Sequence, residues 1–150
     1  MDNTRRLDIP GAAGRVEVDG VLGLLYKVKV DDQVILRRKG HWAIPLRKGG
    51  TARLTSSGLI PGFQTLRLDG EPVLKMGAHV QPPEKAAAFS PLLLILLGWL
   101  GAVIAVLMVL SNIVLVKNAN MPRGLRIALP LVNTVVIAGV IYVLFAPYSG

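Results

Sequence analysis

The sequence predicts a membrane protein of the α+β class, in which a small antiparallel β-sandwich or rolled sheet precedes a two-helix transmembrane hairpin. Three observations carry that expectation. All nine acidic residues lie at or before Glu84, and fourteen of the seventeen Lys and Arg at or before Lys85, so charge is confined to one part of the chain. Two long uncharged runs follow, Pro91 to Val116 and Ile127 to Ala146. Ahead of them, between Arg15 and Met76, apolar and polar residues alternate with a period of two between closely spaced turn residues. The predicted organisation is a β domain over 1–77, a linker over 78–90, a first helix over 91–116, a loop over 117–126, a second helix over 127–146 and a tail over 147–150.

In the β domain, Leu24, Tyr26, Val28 and Val30 alternate with Leu25, Lys27 and Lys29, giving one apolar and one mostly wet face. Asp31-Asp32 turns the chain into Val34, Ile35 and Leu36. Lys48-Gly49-Gly50 joins a strand over Trp42 to Leu46 with one over Thr51 to Leu54. Asp69-Gly70 closes a hairpin between Thr65–Leu68 and Val73–Leu74, because Asp-Gly tolerates the positive φ that a two-residue turn demands. Pro72 lacks an N–H and belongs on an edge strand. Six or seven short strands are expected, around a thin core of Trp42, Ile44, Leu54, Ile60, Phe63 and Leu66. The linker contains Pro82-Pro83 and is expected to be short and semi-rigid.

The first uncharged run is about 26 residues, or ~39 Å as a helix, against about 30 Å of hydrocarbon. Ser90-Pro91 supplies a cap and a residue preset for the first turn. The second run is about 20 residues, with Pro130 near its expected start, where a missing N–H costs least. A connection this short makes the two helices antiparallel neighbours. Gly98, Gly101, Ala102 and Ala105 on the first and Ala138 and Gly139 on the second would let backbones approach closely. Asn112 and Asn133 fall at similar depth and are expected either to hydrogen-bond across the hairpin or to a partner helix, for about 1 kcal/mol, or to meet water near the interface. Neither run holds an ionisable residue, which argues against a proton or ion path within one chain.

Orientation is pulled two ways. The loop carries Lys117, Arg123 and Arg126 against Lys75 and Lys85 ahead of the first helix, which by cation counting puts the loop in the cytoplasm. Exporting a basic domain ahead of its own signal argues the reverse, since Met1 to Pro10 has no apolar core of a secretory signal. The expectation is a multi-pass plasma-membrane protein with the β domain and C-terminus both cytoplasmic.

Residues Val30 to Gly70 resemble part of the Fas apoptosis inhibitory molecule family. The shared order is an Asp-turn hairpin followed by basic residues (Val30-Asp31-Asp32 to Arg37-Arg38), a Trp strand (Trp42 to Leu46), Thr51-Ala52-Arg53-Leu54, then Gly62-Phe63 and Leu66-Arg67-Leu68-Asp69-Gly70. The resemblance implies a β-sandwich fold and a non-enzymatic binding role, on roughly 40 of 150 residues. That family has a longer domain and usually no membrane helices, so this chain would be a partial copy on an anchor.

Chemistry is sparse. The chain has no cysteine, and its two histidines, His41 and His79, have no carboxylate at ligand spacing. Many acidic residues sit in turns (Asp19-Gly20, Asp31-Asp32, Asp69-Gly70), where they serve backbone geometry. Ser56, Ser57 and Thr55 lack a nucleophile motif, and Gly20 to Gly23 lacks the helix and Lys of a phosphate loop. No enzyme, cofactor or metal site is expected. The one notable surface feature is Arg37, Arg38 and Lys39 ahead of Trp42, with Arg47 and Lys48 beyond it, as a contact for anionic lipid or a partner. Nucleic acid would call for interleaved exposed aromatics, which the composition does not supply. The expected partners are the bilayer and another membrane protein or a second copy. The leading reading is a non-catalytic, membrane-anchored accessory subunit or adaptor. The alternatives are an anionic-lipid binder or sensor and a subunit of an oligomeric transporter.

Overall fold

The computed structural model describes residues 3–145, so the expected tail over 147–150 and Ala146, the last residue of the expected second helix, lie outside the described residues. The chain divides into two compact units, residues 1–78 and 79–150.

The first unit holds eight strands: β1 (Thr4–Leu7), β2 (Val16–Asp19), β3 (Lys27–Val30), β4 (Gln33–Ile35), β5 (His41–Pro45), β6 (Thr51–Ser57), β7 (Thr65–Leu68) and β8 (Glu71–Lys75). They form two antiparallel meanders, β1-β2-β3-β4 and β5-β6-β7-β8. Alternate residues of both point into one core, including Val16, Val18, Val28 and Val30 from the first sheet and Trp42, Ile44, Leu54 and Leu66 from the second. Phe63 is also buried. Ile60 is 41% exposed and is not a core residue, because it stands in the β6–β7 connection where no strand aims it inward. Tyr26 and Leu24 precede β3 rather than belonging to it. The turns at Asp31-Asp32 and Asp69-Gly70 have positive φ at both central residues, the geometry that matches strand twist. Pro72 lies on β8, an edge strand.

The two sheets are built alike. Adding 38 to the numbers of β3 gives β7, and the β2–β3 pairing Val16↔Val30 becomes the β6–β7 pairing Leu54↔Leu68. Asp31 accepts a hydrogen bond from the Arg15 backbone N–H at 2.7 Å, and Asp69, 38 residues on, accepts one from Arg53 at 3.0 Å. Positive φ recurs at the matching positions Gly11 and Gly49, Gly20 and Gly58, and Lys39 and Gly77. The Lys29 ammonium reaches Asp19 at 2.9 Å, and the matching Arg67 reaches the matching Ser57 at 3.2 Å. The outer strands depart from the repeat: Thr4 faces Asp19, whereas the matching Trp42 faces Leu54.

The second unit holds α1 (Pro82–Phe89), a 3₁₀ segment (Ser90–Leu97), α2 (Trp99–Val116) and α3 (Arg123–Phe145). The expected linker is therefore largely helical. Pro82 and Pro83 occupy first-turn positions where their missing N–H groups cost nothing, Glu84 reaches back to the Gln81 N–H, and three alanines follow. The expected first helix from Pro91 is interrupted. Residues up to Leu97 run as 3₁₀, Gly98 reverses the chain at φ 91°, and α2 starts at Trp99. The connection is shorter than expected, because α3 starts at Arg123, four residues earlier, with Pro122 just ahead of it accepting the first helical bonds. Pro130 then stands past the first turn of α3 and removes one helical bond, while the Thr134 hydroxyl donates to its carbonyl at 2.7 Å. Helices α2 and α3 are long and apolar enough to cross a membrane.

Candidate functional site

In the β unit, an open groove of about 560 Å³ lies between the β3–β4 hairpin and β5. Alternation along β5 turns Trp42 inward, and its ring forms the groove floor. Tyr26 tilts against it at 5.8 Å between centroids, and the Arg37 guanidinium stacks over it at 5.0 Å. That stacking keeps a cation on an aromatic face. On the rim, Leu25 is 84% and Leu36 is 71% exposed. Lys27 also lines the groove, so its apolar floor carries a basic border.

The structure joins Arg37 to Trp42 and separates the other basic residues expected to act with them. Arg38 bridges to His41 across a turn in which Lys39 and Gly40 have positive φ, and it faces a neighbouring hollow of about 380 Å³. Arg47 and Lys48 follow the opposite end of β5. Arg47 instead lines a hollow with Arg6 and Arg15, its N–H bonding the Gly11 carbonyl at 2.9 Å. The five-residue strand between the two groups sets them roughly 17 Å apart. Sequence reasoning missed Leu25, Tyr26 and Leu36 as groove residues. The signal was the run Val34-Ile35-Leu36, because three consecutive apolar residues cannot all face one side of a strand.

In the helical unit, the small residues serve different neighbours. A Cβ on Gly101 would come within 2.0 Å of the Leu94 carbonyl oxygen, so this glycine admits the 3₁₀ segment, not α3. Ala105 is buried, Ala102 and Ala138 are half-buried, Gly139 faces open space and Gly98 makes the chain reversal. Asn112 and Asn133 line one hollow of about 370 Å³ between α2 and α3. Asn112 donates to the Ala88 carbonyl at 3.5 Å, and Asn133 is exposed. The Ser90 and Thr134 hydroxyls, 3.0 Å apart, make a polar contact to α3 that the sequence did not announce.

A polar cluster at the loop end was also missed. Glu84 is fully buried, 3.4 Å from Arg126 and 3.7 Å from Arg123. Arg126 also donates to the Met121 and Ala119 carbonyls, and Arg123 to the Gln81 side chain. His79 Nε2 donates to the Lys117 carbonyl at 3.1 Å. Burial pushes the Lys117 ammonium down to about 8, because a low-dielectric surrounding disfavours the charged form. The legible hint was the Gln81-Pro-Pro-Glu84 cap, with Arg123 and Arg126 as the nearest later guanidinium groups. Among the described residues, no three His, Asp or Glu side chains gather as metal ligands. Comparison with family models, curated proteins and solved structures gave no match.

Proposed function

We propose that this chain is a non-catalytic, membrane-anchored adaptor in which α2 and α3 cross the bilayer of the plasma membrane and the β unit binds a protein partner in the Trp42 groove. The observation that carries the reading is the groove itself, an open hollow over the buried Trp42 ring and half-buried Tyr26, with two exposed leucines and a basic border. Aromatic and arginine side chains dominate binding energy at interfaces. The chemistry fits a segment with a large apolar side chain next to Asp or Glu. Two sheets over one core support a β-sandwich, the architecture that the resemblance of residues 30–70 to the Fas apoptosis inhibitory molecule family implies.

The test compares full-length chain in mild detergent with its Leu36→Asp variant, after isolation from native membranes. The reading expects a partner that co-purifies with the parent and is lost at least tenfold with the variant, while the thermal melt of the β unit is unchanged. Equal recovery of the same proteins with both chains would contradict it. A second reading, adhesion to anionic lipid, is favoured by Lys27 and Arg37 beside exposed Leu25 and Leu36. It predicts that the reconstituted chain clusters phosphatidylserine vesicles at low salt and not phosphatidylcholine vesicles. Identical behaviour with both lipids would remove it.

A further inference from the structure

Partners of the segment ahead of α2 change in a regular order along the two long helices. Gln81 meets Arg123, Glu84 meets Arg126 and Ser90 meets Thr134, so this segment runs parallel to α3. His79 meets Lys117, Ala88 meets Asn112 and Leu94 meets Gly101, so it runs antiparallel to α2. The segment therefore starts beside the 117–122 loop and ends at the opposite end, where Gly98 turns it into α2. Eight α-helical and eight 3₁₀ residues span about 28 Å at 1.5 and 2.0 Å per residue, close to the roughly 30 Å of bilayer hydrocarbon.

The outer surface of this segment fits lipid. Along the 3₁₀ segment Pro91 and Leu94 turn inward, three residues apart, and Leu92, Leu93, Ile95, Leu96 and Leu97 are exposed. No charge occurs between Lys85 and Lys117. Charge lies towards one end and the exposed Trp and Tyr towards the other. Lys85, Lys117, Arg123 and Arg126 all lie towards the loop end. Exposed Trp99 and Tyr142 lie at the other, where aromatic rings favour a membrane interface.

We infer that Pro82–Leu97 is a third membrane-embedded arm, its partner the bilayer hydrocarbon, which puts the β unit and the 117–122 loop on one face. This rests on the reading that α2 and α3 span. The positive-inside rule makes the shared face cytoplasmic and relieves the conflict between charge counting and export of a basic domain. The end of α3 then lies on the other face, in place of the even number of crossings expected from sequence.

The chain has no native cysteine, so single cysteines report sidedness. Leu59→Cys in the β unit, Asn120→Cys in the loop and Trp99→Cys at the reversal are probed with an impermeant maleimide in sealed vesicles of either orientation. The expected result is that Leu59→Cys and Asn120→Cys react from the same face and Trp99→Cys does not react from that face. Reaction of Leu59→Cys and Asn120→Cys from opposite faces would overturn the third arm and leave spanning by α2 and α3 intact. Reaction of all three regardless of vesicle orientation, with the chain released by alkaline wash, would overturn both.

Discussion

The two units differ in what they leave on the outside and in which polar groups they bury. In the β unit, Ile44, Leu54 and Leu66 are sealed inside, while Lys27, Arg53 and Arg67 are exposed. In the helical unit, Leu93, Leu96, Val135 and Val143 face outward, while Glu84, Lys117 and Arg126 are buried. The helical unit also buries Leu94, Ile113 and Val116, so it adds an apolar exterior to an apolar interior. A surface dominated by exposed leucine and valine costs roughly 25 cal/mol per Å² in water and nothing of that kind in hydrocarbon. That contrast is the one expected if, as proposed above, the helical unit meets hydrocarbon and the β unit meets water.

The sharpest way to break that comparison is to place the same charge at two equally outward positions. Leu59 is 100% and Val135 is 71% exposed. Leu59→Arg is expected to leave the melting of the β unit within about 0.5 kcal/mol, as for an ordinary surface change. Val135→Arg, near the centre of α3, is expected to cost about 3 kcal/mol on insertion, read as a lower membrane-integrated fraction in an insertion assay. Equal tolerance at both sites would mean that α3 faces water.

The buried polar groups of the helical unit sharpen it further. Lys117 titrates near 8 in the folded chain against an ordinary 10.5. Between those values the unfolded state holds the proton that the folded state has released, so stability rises with pH across that window. An increase on the order of 1–2 kcal/mol is expected after allowing for solvent screening, in denaturant unfolding of the detergent-solubilised chain. Lys117→Met should flatten the profile from pH 8 to 10.5, and an unchanged slope would disprove the assignment.

The smallest effect concerns the two matched sheets. Asp31→Ala and Asp69→Ala each remove a side-chain hydrogen bond to a backbone N–H and should each lower β-unit stability by about 1 kcal/mol in chemical denaturation. Gly14→Ala should reproduce the Asp31 loss, because its Cβ would stand 2.0 Å from an Asp31 carboxylate oxygen. Costs at 31 and 69 differing by more than about threefold would argue that the repeat is one of backbone path alone. The Lys29 ammonium also holds the Asp19 carboxyl below its ordinary value, chiefly through their hydrogen bond. That contribution is present above the ordinary carboxylate range and fades as pH falls below it, with no counterpart at Arg67 and Ser57.

Much of this was legible because it is local. Asp-Gly and Asp-Asp announce their turns through φ, Trp42 and Leu54 announce their burial through alternation, and the uncharged runs announce apolar helices through length. What escaped depended on contacts distant in sequence. Strand β1, Thr-Arg-Arg-Leu, has no apolar alternation and is held by pairing with β2. The break in the first uncharged run was invisible because its 3₁₀ residues are as apolar as the helix after them, and only Gly98 separates the two. The basic residues near Trp42 were recognisable as charges, but their division between the ends of β5 follows from strand direction. Glu84 looked like a linker residue until α1 placed it against Arg126, 42 positions away.

The account depends on lipid as the solvent of the helical unit. Full-length chain, reconstituted into liposomes and washed at alkaline pH, is to be floated on a density gradient. The chain is predicted to rise with the lipid and to come free only with detergent. A chain that stays in the dense aqueous fraction, dissolved and monodisperse without surfactant, would contradict the account.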